Sequence, residues 1–340
     1  MNEGPRYTRV ISEWTRKDRW GAARCRLGMH RALYSVEPGL YAIGRPGPDS
    51  PVLVTANYKL SFDLVRRELG GCECWILALD TGGVNVSCGV ASGKFGTDEL
   101  VTRIQKSRLK DSVRHRTLIL PPLGTPGVNG EEVLRHTGFD IRSGPVRPAD
   151  IPEFLARECR STQDMLTVRL TWRDRLALTP AEIVQSLRLF PAFAFAALIV
   201  AGLGPDGVSL GRAWTGVWPL FGLGLGSICA GSFLAPLLSP LMPFPAFSAR
   251  GWGVGAVVCA VLLQGAGLAS GMDFFFTAAC YLFFPAASAA LALRFARAVP
   301  SVSPAQVRRE LRMSLPFFAA AGLLSVGALA LSRLRQWGMF

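Results

Sequence analysis

Histidine is scarce in this 340-residue chain: His30, His115 and His136 stand alone, far from one another. A His-based zinc centre needs such ligands in clusters, so none is expected. Paired cysteines are missing too. Cys25, Cys72, Cys74, Cys88, Cys159, Cys229, Cys259 and Cys280 include no C-x-x-C and no disulfide-framework spacing. That usage points to a reducing compartment. Cys72-Glu73-Cys74 reads as a solvent-exposed helix–strand turn rather than a redox pair. The N-terminus carries no apolar core of the kind a cleavable signal peptide needs, and none is expected. Acidic residues are few, 24 against 37 Lys and Arg, for a formal charge of +13. No basic run with interleaved aromatics accompanies that charge, so a lipid bilayer is the expected anionic partner and nucleic acid is not.

What the chain does contain is divided unevenly. Mean hydropathy is +0.30. The residues up to about Arg175 are mixed and well charged, whereas Ala, Leu, Phe, Gly and Val dominate from Leu189 onward. Five apolar stretches follow, near Leu189–Leu203, Ala213–Leu237, Trp252–Ser270, Phe274–Leu293 and Met313–Leu331. Each approaches the roughly 20 residues that cross a hydrocarbon core, the first only if Ile183–Leu187 extends it. The connection after the fourth holds Arg294, Arg297, Arg308, Arg309 and Arg312, and the link before it, Gly271–Asp273, holds no positive charge. The positive-inside rule then predicts a multi-pass protein of the cytoplasmic membrane with its N-terminal domain in the cytoplasm. No ionisable residue sits clearly within a stretch, so the spans read as an anchor rather than a transport path.

The expected organisation is an N-terminal extension (1–50), an α/β domain (51–165), an interfacial linker (166–188) around Trp172 and Arg173, and an all-α domain of about five transmembrane helices (189–340). In the α/β domain, short apolar runs at Val52–Thr55, Trp75–Leu79, Thr117–Leu120 and Phe139–Arg142 read as strands. Helical spacing at Tyr58–Leu69, from N-cap Thr97 to Lys106, at Gly130–His136 and at Ile151–Glu158 separates them. Alternation of this kind predicts a parallel, Rossmann-like sheet with ligands bound at the carboxyl ends of its strands. The loops there are Thr55–Tyr58, Asp80–Ser92, Pro121–Gly127 and Gly144–Arg147. The first strand is followed by no G-x-G-x-x-G, and no phosphate-binding G-x-x-x-x-G-K-S/T occurs, so a nucleotide is not the natural ligand.

The second of these loops, Asn85-Val86-Ser87-Cys88-Gly89-Val90-Ala91-Ser92, sets one cysteine among small residues between a strand end and a helix start. Asn85 is placed to cap a short helix that presents Cys88. Position alone leaves open whether that thiol is a ligand or nucleophile, or an inert buried residue.

The segment resembles the cap-helix region of the HgcA family, the membrane corrinoid proteins of microbial mercury methylation. It is more distantly similar to the corrinoid-binding subunits of the acetyl-CoA synthase system. Asn85, Val86 and Cys88 match the family pattern N-(V/I)-W-C-A-(A/G)-G-K, and Phe95-Gly96-Thr97-Asp98-Glu99-Leu100 matches the F-G-T-(D/E)-E-L that follows. Pro51–Asp63, Leu79-Asp80-Thr81, Gly124–Val128 and Gly144–Pro152 are similar as well, and the family carries five C-terminal spans. Ser87 stands where the family has tryptophan, Ser92 where it has lysine, and Lys94 lies two residues on.

The resemblance implies a cobamide held at the strand ends, with Cys88 as the lower axial ligand of its cobalt. The surrounding contacts would come from Thr55, Asn57, Asp80, Thr81, Asn85, Val86, Ser87, Gly89, Val90, Phe95, Gly96, Thr97, Gly124, Pro126, Gly127 and Val146. It further implies a corrinoid-dependent methyltransferase that passes a methyl group to mercuric ion. Its partners would be an HgcB-like ferredoxin with two 4Fe–4S clusters and a methyl-donating methyltransferase. A divergent corrinoid protein with another acceptor, or a cobamide-binding membrane receptor, are the alternatives.

Overall fold

In a computed structural model, residues 7–28, 34–167, 170–297, 299, 302 and 304–338 are described; His30 and positions 168–169 of the expected linker lie outside them. The chain divides into two compact units, Met1–Arg169 and Leu170–Phe340.

The first unit is built on strands β1 (Tyr7–Val10), β2 (Gly39–Ile43), β3 (Val52–Ala56), β4 (Cys74–Leu79), β5 (Thr117–Leu120) and β6 (Asp140–Ser143). Its helices are α1 (Arg16–Arg26), α2 (Lys59–Glu68), α3 (Val86–Ala91), α4 (Thr97–Lys106), α5 (Leu109–Ser112), α6 (Gly130–Thr137), α7 (Ile151–Ala156) and α8 (Gln163–Leu166). The strands form one sheet in the order β1-β2-β4-β3-β5-β6. The β3–β4, β3–β5 and β5–β6 pairs are parallel, as expected.

Successive strand residues point to opposite faces, and both faces are buried. Val52, Val54, Leu77, Leu79, Leu118 and Leu120 meet Phe95, Leu100, Ile104, Val133 and Phe139 on one side. Leu53, Ile76, Ala78 and Ile119 meet Phe62, Ile151, Phe154 and Met165 on the other. This explains why the strands read as continuous apolar runs.

The N-terminal extension is corrected by the structure, because residues 7–43 contribute two strands and a helix to this unit. β2 runs antiparallel to β4, with Tyr41 opposite Ile76, so the sheet is not uniformly parallel. A charge cluster ties α1 to α2. The Asp18 carboxylate accepts from Lys59 Nζ at 2.7 Å and pairs with Arg66 at 2.8 Å, and Arg66 also bonds Asp63 at 2.7 Å. The Arg66 guanidinium donates onward to the Ile11 and Glu13 carbonyls. Burial acts to raise the Asp18 pKa, but hydrogen bonds from Lys59, Thr15 and Arg66 together hold it far below the usual carboxylate range. A depressed folded-state pKa stabilises above the unfolded value of about 3.9 and is lost as pH falls through the folded one. Asp18→Asn is therefore expected to loosen residues 11–26 at pH 7, read as faster amide exchange there, with wild type and variant converging in strong acid.

The second unit contains α9 (Trp172–Leu187), α10 (Phe190–Gly202), α11 (Leu210–Cys229), α12 (Ala235–Leu238), α13 (Phe247–Ala260), α14 (Phe274–Ala296) and α15 (Pro304–Gln336). Four helical runs are long and apolar enough to cross a membrane: Leu210–Leu241, Phe247–Gly265, Phe274–Ala296 and Ala305–Gln336. The pair α9–α10, bent by 46°, makes a fifth if counted as one span. Within the stretch expected as an interfacial linker, Thr171 and Asp174 form a capping box that starts a 16-residue helix, and that helix buries Thr179, Ala181, Glu182 and Ser186.

α14 is the centre of this unit, packed against α11, α13 and α15. Its Ser288 is fully buried under three glycines. An added Cβ would come within 2.4 Å of the Ser288 carbonyl at Gly231, within 2.8 Å of that carbonyl at Gly251, and within 2.6 Å of the Ser288 side chain at Gly255. Small residues let these helices approach backbone to backbone. Two π-helical turns, Ala230–Leu234 and Val261–Gly265, interrupt the run from α11 and the end of α13.

Candidate functional site

The carboxyl ends of β3 and β4 are locked together by one side chain. Asn57, just past β3, is buried, and its Oδ1 accepts from Thr81 N (3.0 Å), Thr81 Oγ1 (2.9 Å) and Gly83 N (3.1 Å). The Asn57 amide N–H donates to the Leu79 carbonyl at 2.8 Å. The turn that follows β4 needs left-handed backbone at Gly82 (φ 66°) and Gly83 (φ 74°), which glycine adopts without strain. Asp80 completes it, accepting from Gly82 N at 3.0 Å, while its own N–H donates to Glu99 Oε1 at 2.7 Å.

This turn delivers the chain into α3. Asn85 is its N-cap, as expected, with Oδ1 accepting from Cys88 N at 2.9 Å. The inner face of α3 is fixed by Gly89 and the valines that flank it. A Cβ at Gly89 would meet Phe95 Cβ at 2.9 Å and Thr81 Cγ2 at 3.1 Å, so only glycine lets the helix sit this low. Phe95 is fully buried and donates its N–H to the Gly89 carbonyl at 3.0 Å.

The loop after β5 closes over the same ring. A Cβ at Gly124 would lie 2.5 Å from Phe95 Cε1 and 3.2 Å from Val86 Cγ1. At Gly127 it would lie 2.4 Å from the Phe95 carbonyl and 3.0 Å from Val90 Cγ2. Val86, Gly89 and Val90 therefore face inward, and Cys88 is left exposed on the outer side. Lys94 folds back over this turn, its Nζ close to Gly82.

The expected site residues separate into two groups. Cys88, Asp80, Asn85 and Pro126 are exposed, and Ser87, Val86, Val90, Gly96, Thr97, Gly127 and Val146 are half-buried. Thr55, Asn57, Thr81, Gly89, Phe95 and Gly124 are buried and build the platform rather than face outward. Thr97 begins α4 but does not cap it: Gly96 is the N-cap, and Thr97 Oγ1 accepts instead from Asn129 N at 2.9 Å. Val146 is tied by its N–H to the Met165 carbonyl at 2.8 Å. The Asn57 hub was read only as a ligand contact, although an asparagine straight after a buried strand is itself a signal for a turn-locking role.

The cysteines differ sharply in environment. Cys74 is buried in β4, where desolvation pushes its thiol up to about 12. Cys25 is buried with its sulfur 2.8 Å from Tyr58 Oη. Cys72 and Cys159 are partly covered. Cys88 is the exposed cysteine of this unit. Among the described residues no group of three or more His, Cys, Asp or Glu side chains could hold a metal ion.

Residues 29–155 match the family model of the CO dehydrogenase/acetyl-CoA synthase delta subunit. The chain is also similar to gamma subunits of the acetyl-CoA decarbonylase/synthase complex. The Methanopyrus kandleri protein is 39% identical over 130 residues, which is 38% of this chain and 28% of that one. The Archaeoglobus fulgidus protein is 35% identical over 131 residues, 37% of this chain and 27% of that one. The Methanocaldococcus jannaschii protein is 42% identical over 127 residues, 37% and 26% respectively. This chain spans just over a quarter of the length of the M. kandleri relative.

Proposed function

We propose that the chain is a membrane-anchored corrinoid protein that carries and transfers a methyl group, with mercuric ion as acceptor. The observation that carries this reading is the exposed Cys88, held on a capped turn at the carboxyl ends of β3 and β4. It lies inside the stretch that matches the acetyl-CoA synthase subunit model. When bound, a cobamide supplies a cobalt centre able to carry a methyl group. A metal already held by a macrocycle needs few protein ligands, which suits a lone thiol better than a cluster. A soft thiolate is a good donor to such a metal and raises its electron density. Small neighbours at Ser87 and Ala91 allow a broad planar ring to approach the outer face of α3. Asn85 and the Phe95 platform hold the Cys88 backbone in place, and Lys94 supplies positive charge at the rim.

The mercury assignment is supported by the residues shared with the HgcA family and by the apolar helices joined to this domain. Ser87 and Gly89–Ser92 depart from that family's pattern, and a different electrophilic acceptor is the second reading.

Membrane insertion rests on the four long apolar helices and the bent pair. Counting α9–α10 as one span matters for sidedness. With five crossings, the N-terminal unit and the arginine-rich connection before α15 share the cytoplasmic side, whereas with four they would not. Low-potential electrons and methyl groups are supplied from the cytoplasm by a two-cluster ferredoxin and a methyltransferase, which favours five.

The test is anaerobic. The full chain is loaded with cobamide, assayed for cobalt, and given a methyl donor, a low-potential ferredoxin and mercuric ion. Stoichiometric cobalt and methylmercury are expected. Cobalt with methyl transfer only to another acceptor selects the second reading, and failure to retain cobalt overturns corrinoid binding.

A further inference from the structure

The first turns of α15 present two different faces. Val307 and Leu311 pack inward with Leu293, Ala296 and Phe247. Glu310 belongs to the same inner side, where Oε1 accepts from Ser248 N at 2.6 Å and Ser248 Oγ at 2.8 Å at the start of α13. Ser314, one turn on, donates to Ser248 Oγ at 3.0 Å. The opposite face carries Ala305, Arg308, Arg309, Arg312 and Met313, at the spacing of neighbouring helical positions. These five side chains are exposed and lie side by side on that face.

Among the described residues none of the three arginines has an ion-pair partner. The nearby acid in sequence, Glu310, is engaged on the other side of the helix. Met313 is where the long apolar stretch of α15 begins. This exposed face therefore combines three unneutralised guanidinium groups with an apolar edge, at the point where charge gives way to the long apolar stretch.

Guanidinium is suited to phosphate because its planar fork donates two parallel hydrogen bonds to paired oxygens. Basic pockets at the cytoplasmic ends of membrane helices select anionic headgroups in the same way. We propose that Arg308, Arg309 and Arg312 form a site for the phosphate of an anionic phospholipid, with its acyl chain leaving along Met313. This rests on the reading that α15 spans a bilayer. The site would fix α15 at the cytoplasmic leaflet.

The experiment places the full chain in nanodiscs of phosphatidylcholine with a minor fraction of phosphatidylglycerol or cardiolipin. Bound lipid is counted by native mass spectrometry. Wild type is expected to retain anionic lipid at least about tenfold over phosphatidylcholine, given three arginines each contributing several-fold near a charged surface. R308Q/R309Q/R312Q is expected to lose that preference, while R16Q/R19Q/R24Q, which removes three exposed arginines of α1, keeps it. Equal retention by the two triple variants overturns the site. Displacement of the lipid by millimolar inorganic phosphate would identify a soluble anion as the ligand and overturn the lipid assignment. A chain that fails to enter nanodiscs at all overturns the membrane reading instead, so the two failures are distinct.

Discussion

Replacing Cys88 by alanine is expected to abolish methyl transfer and to change the visible spectrum of the bound cobamide, with little effect on stability. The side chain is exposed and packs into neither core cluster, so its loss should change folding free energy by no more than about 0.5 kcal/mol. The turn that presents it is fixed by groups the substitution leaves intact: the Asn85 cap, the Asn57 hub and the Phe95 ring. A loss of activity therefore cannot be put down to misfolding. Cys88→His is the informative second variant. It keeps a ligand atom on the same helix but exchanges a soft anionic sulfur for a neutral nitrogen, and it should restore a ligand spectrum without restoring full transfer. The outcome that removes Cys88 from the ligand role is a cobamide-loaded alanine variant with an unchanged spectrum.

Phe95→Ala is expected to have the largest effect on stability, a loss of about 3–5 kcal/mol, as for other fully buried phenylalanines. Its ring and backbone are in contact distance of the positions of Gly89, Gly124 and Gly127, so it joins α3 to the loop after β5. Those glycines leave no side chains to move into the void, and the cavity should persist. Denaturant unfolding of the full chain in detergent would measure the loss, and amide exchange across residues 85–97 would locate it. If unfolding shifts by less than about 1 kcal/mol, the ring is not the keystone described.

The central strands were legible because they are buried on both faces. Val52–Ala56, Cys74–Leu79 and Thr117–Leu120 read as nearly unbroken apolar runs, and the loops beyond the last two carry Gly and Pro. β1 was not legible. Tyr7-Thr8-Arg9-Val10 is largely exposed at the sheet edge, and nothing local distinguishes it from a polar tail. β2 is apolar, but its place depends on pairing with β4 more than 30 residues later, which no short-range pattern encodes. Thr97 misled for a related reason. It has the chemistry of a cap, yet Gly96 takes that position and the hydroxyl serves Asn129. α9 was hidden by composition, since its buried face mixes Thr179, Glu182 and Ser186 with a single alanine. At the site, Cys88 and its cap could be read directly from sequence. The division between outward-facing residues and buried scaffold could not, because it depends on which atoms Phe95 and Asn57 reach across the fold.

The order of strands in the sheet also sets an order in time. β1 and β2 are made before β4, but β2 can dock only after β4 exists, and β1 pairs with β2 alone. β2, and β1 through it, are therefore made before the strand they need, whereas β3 meets β4 over a shorter stretch of chain and β5 joins later still. Until β4 is made, β1 and β2 have no place in the sheet. A nascent chain arrested before β4 has emerged should leave the stretch carrying Asp18 open to protease, and one arrested after β4 should protect it.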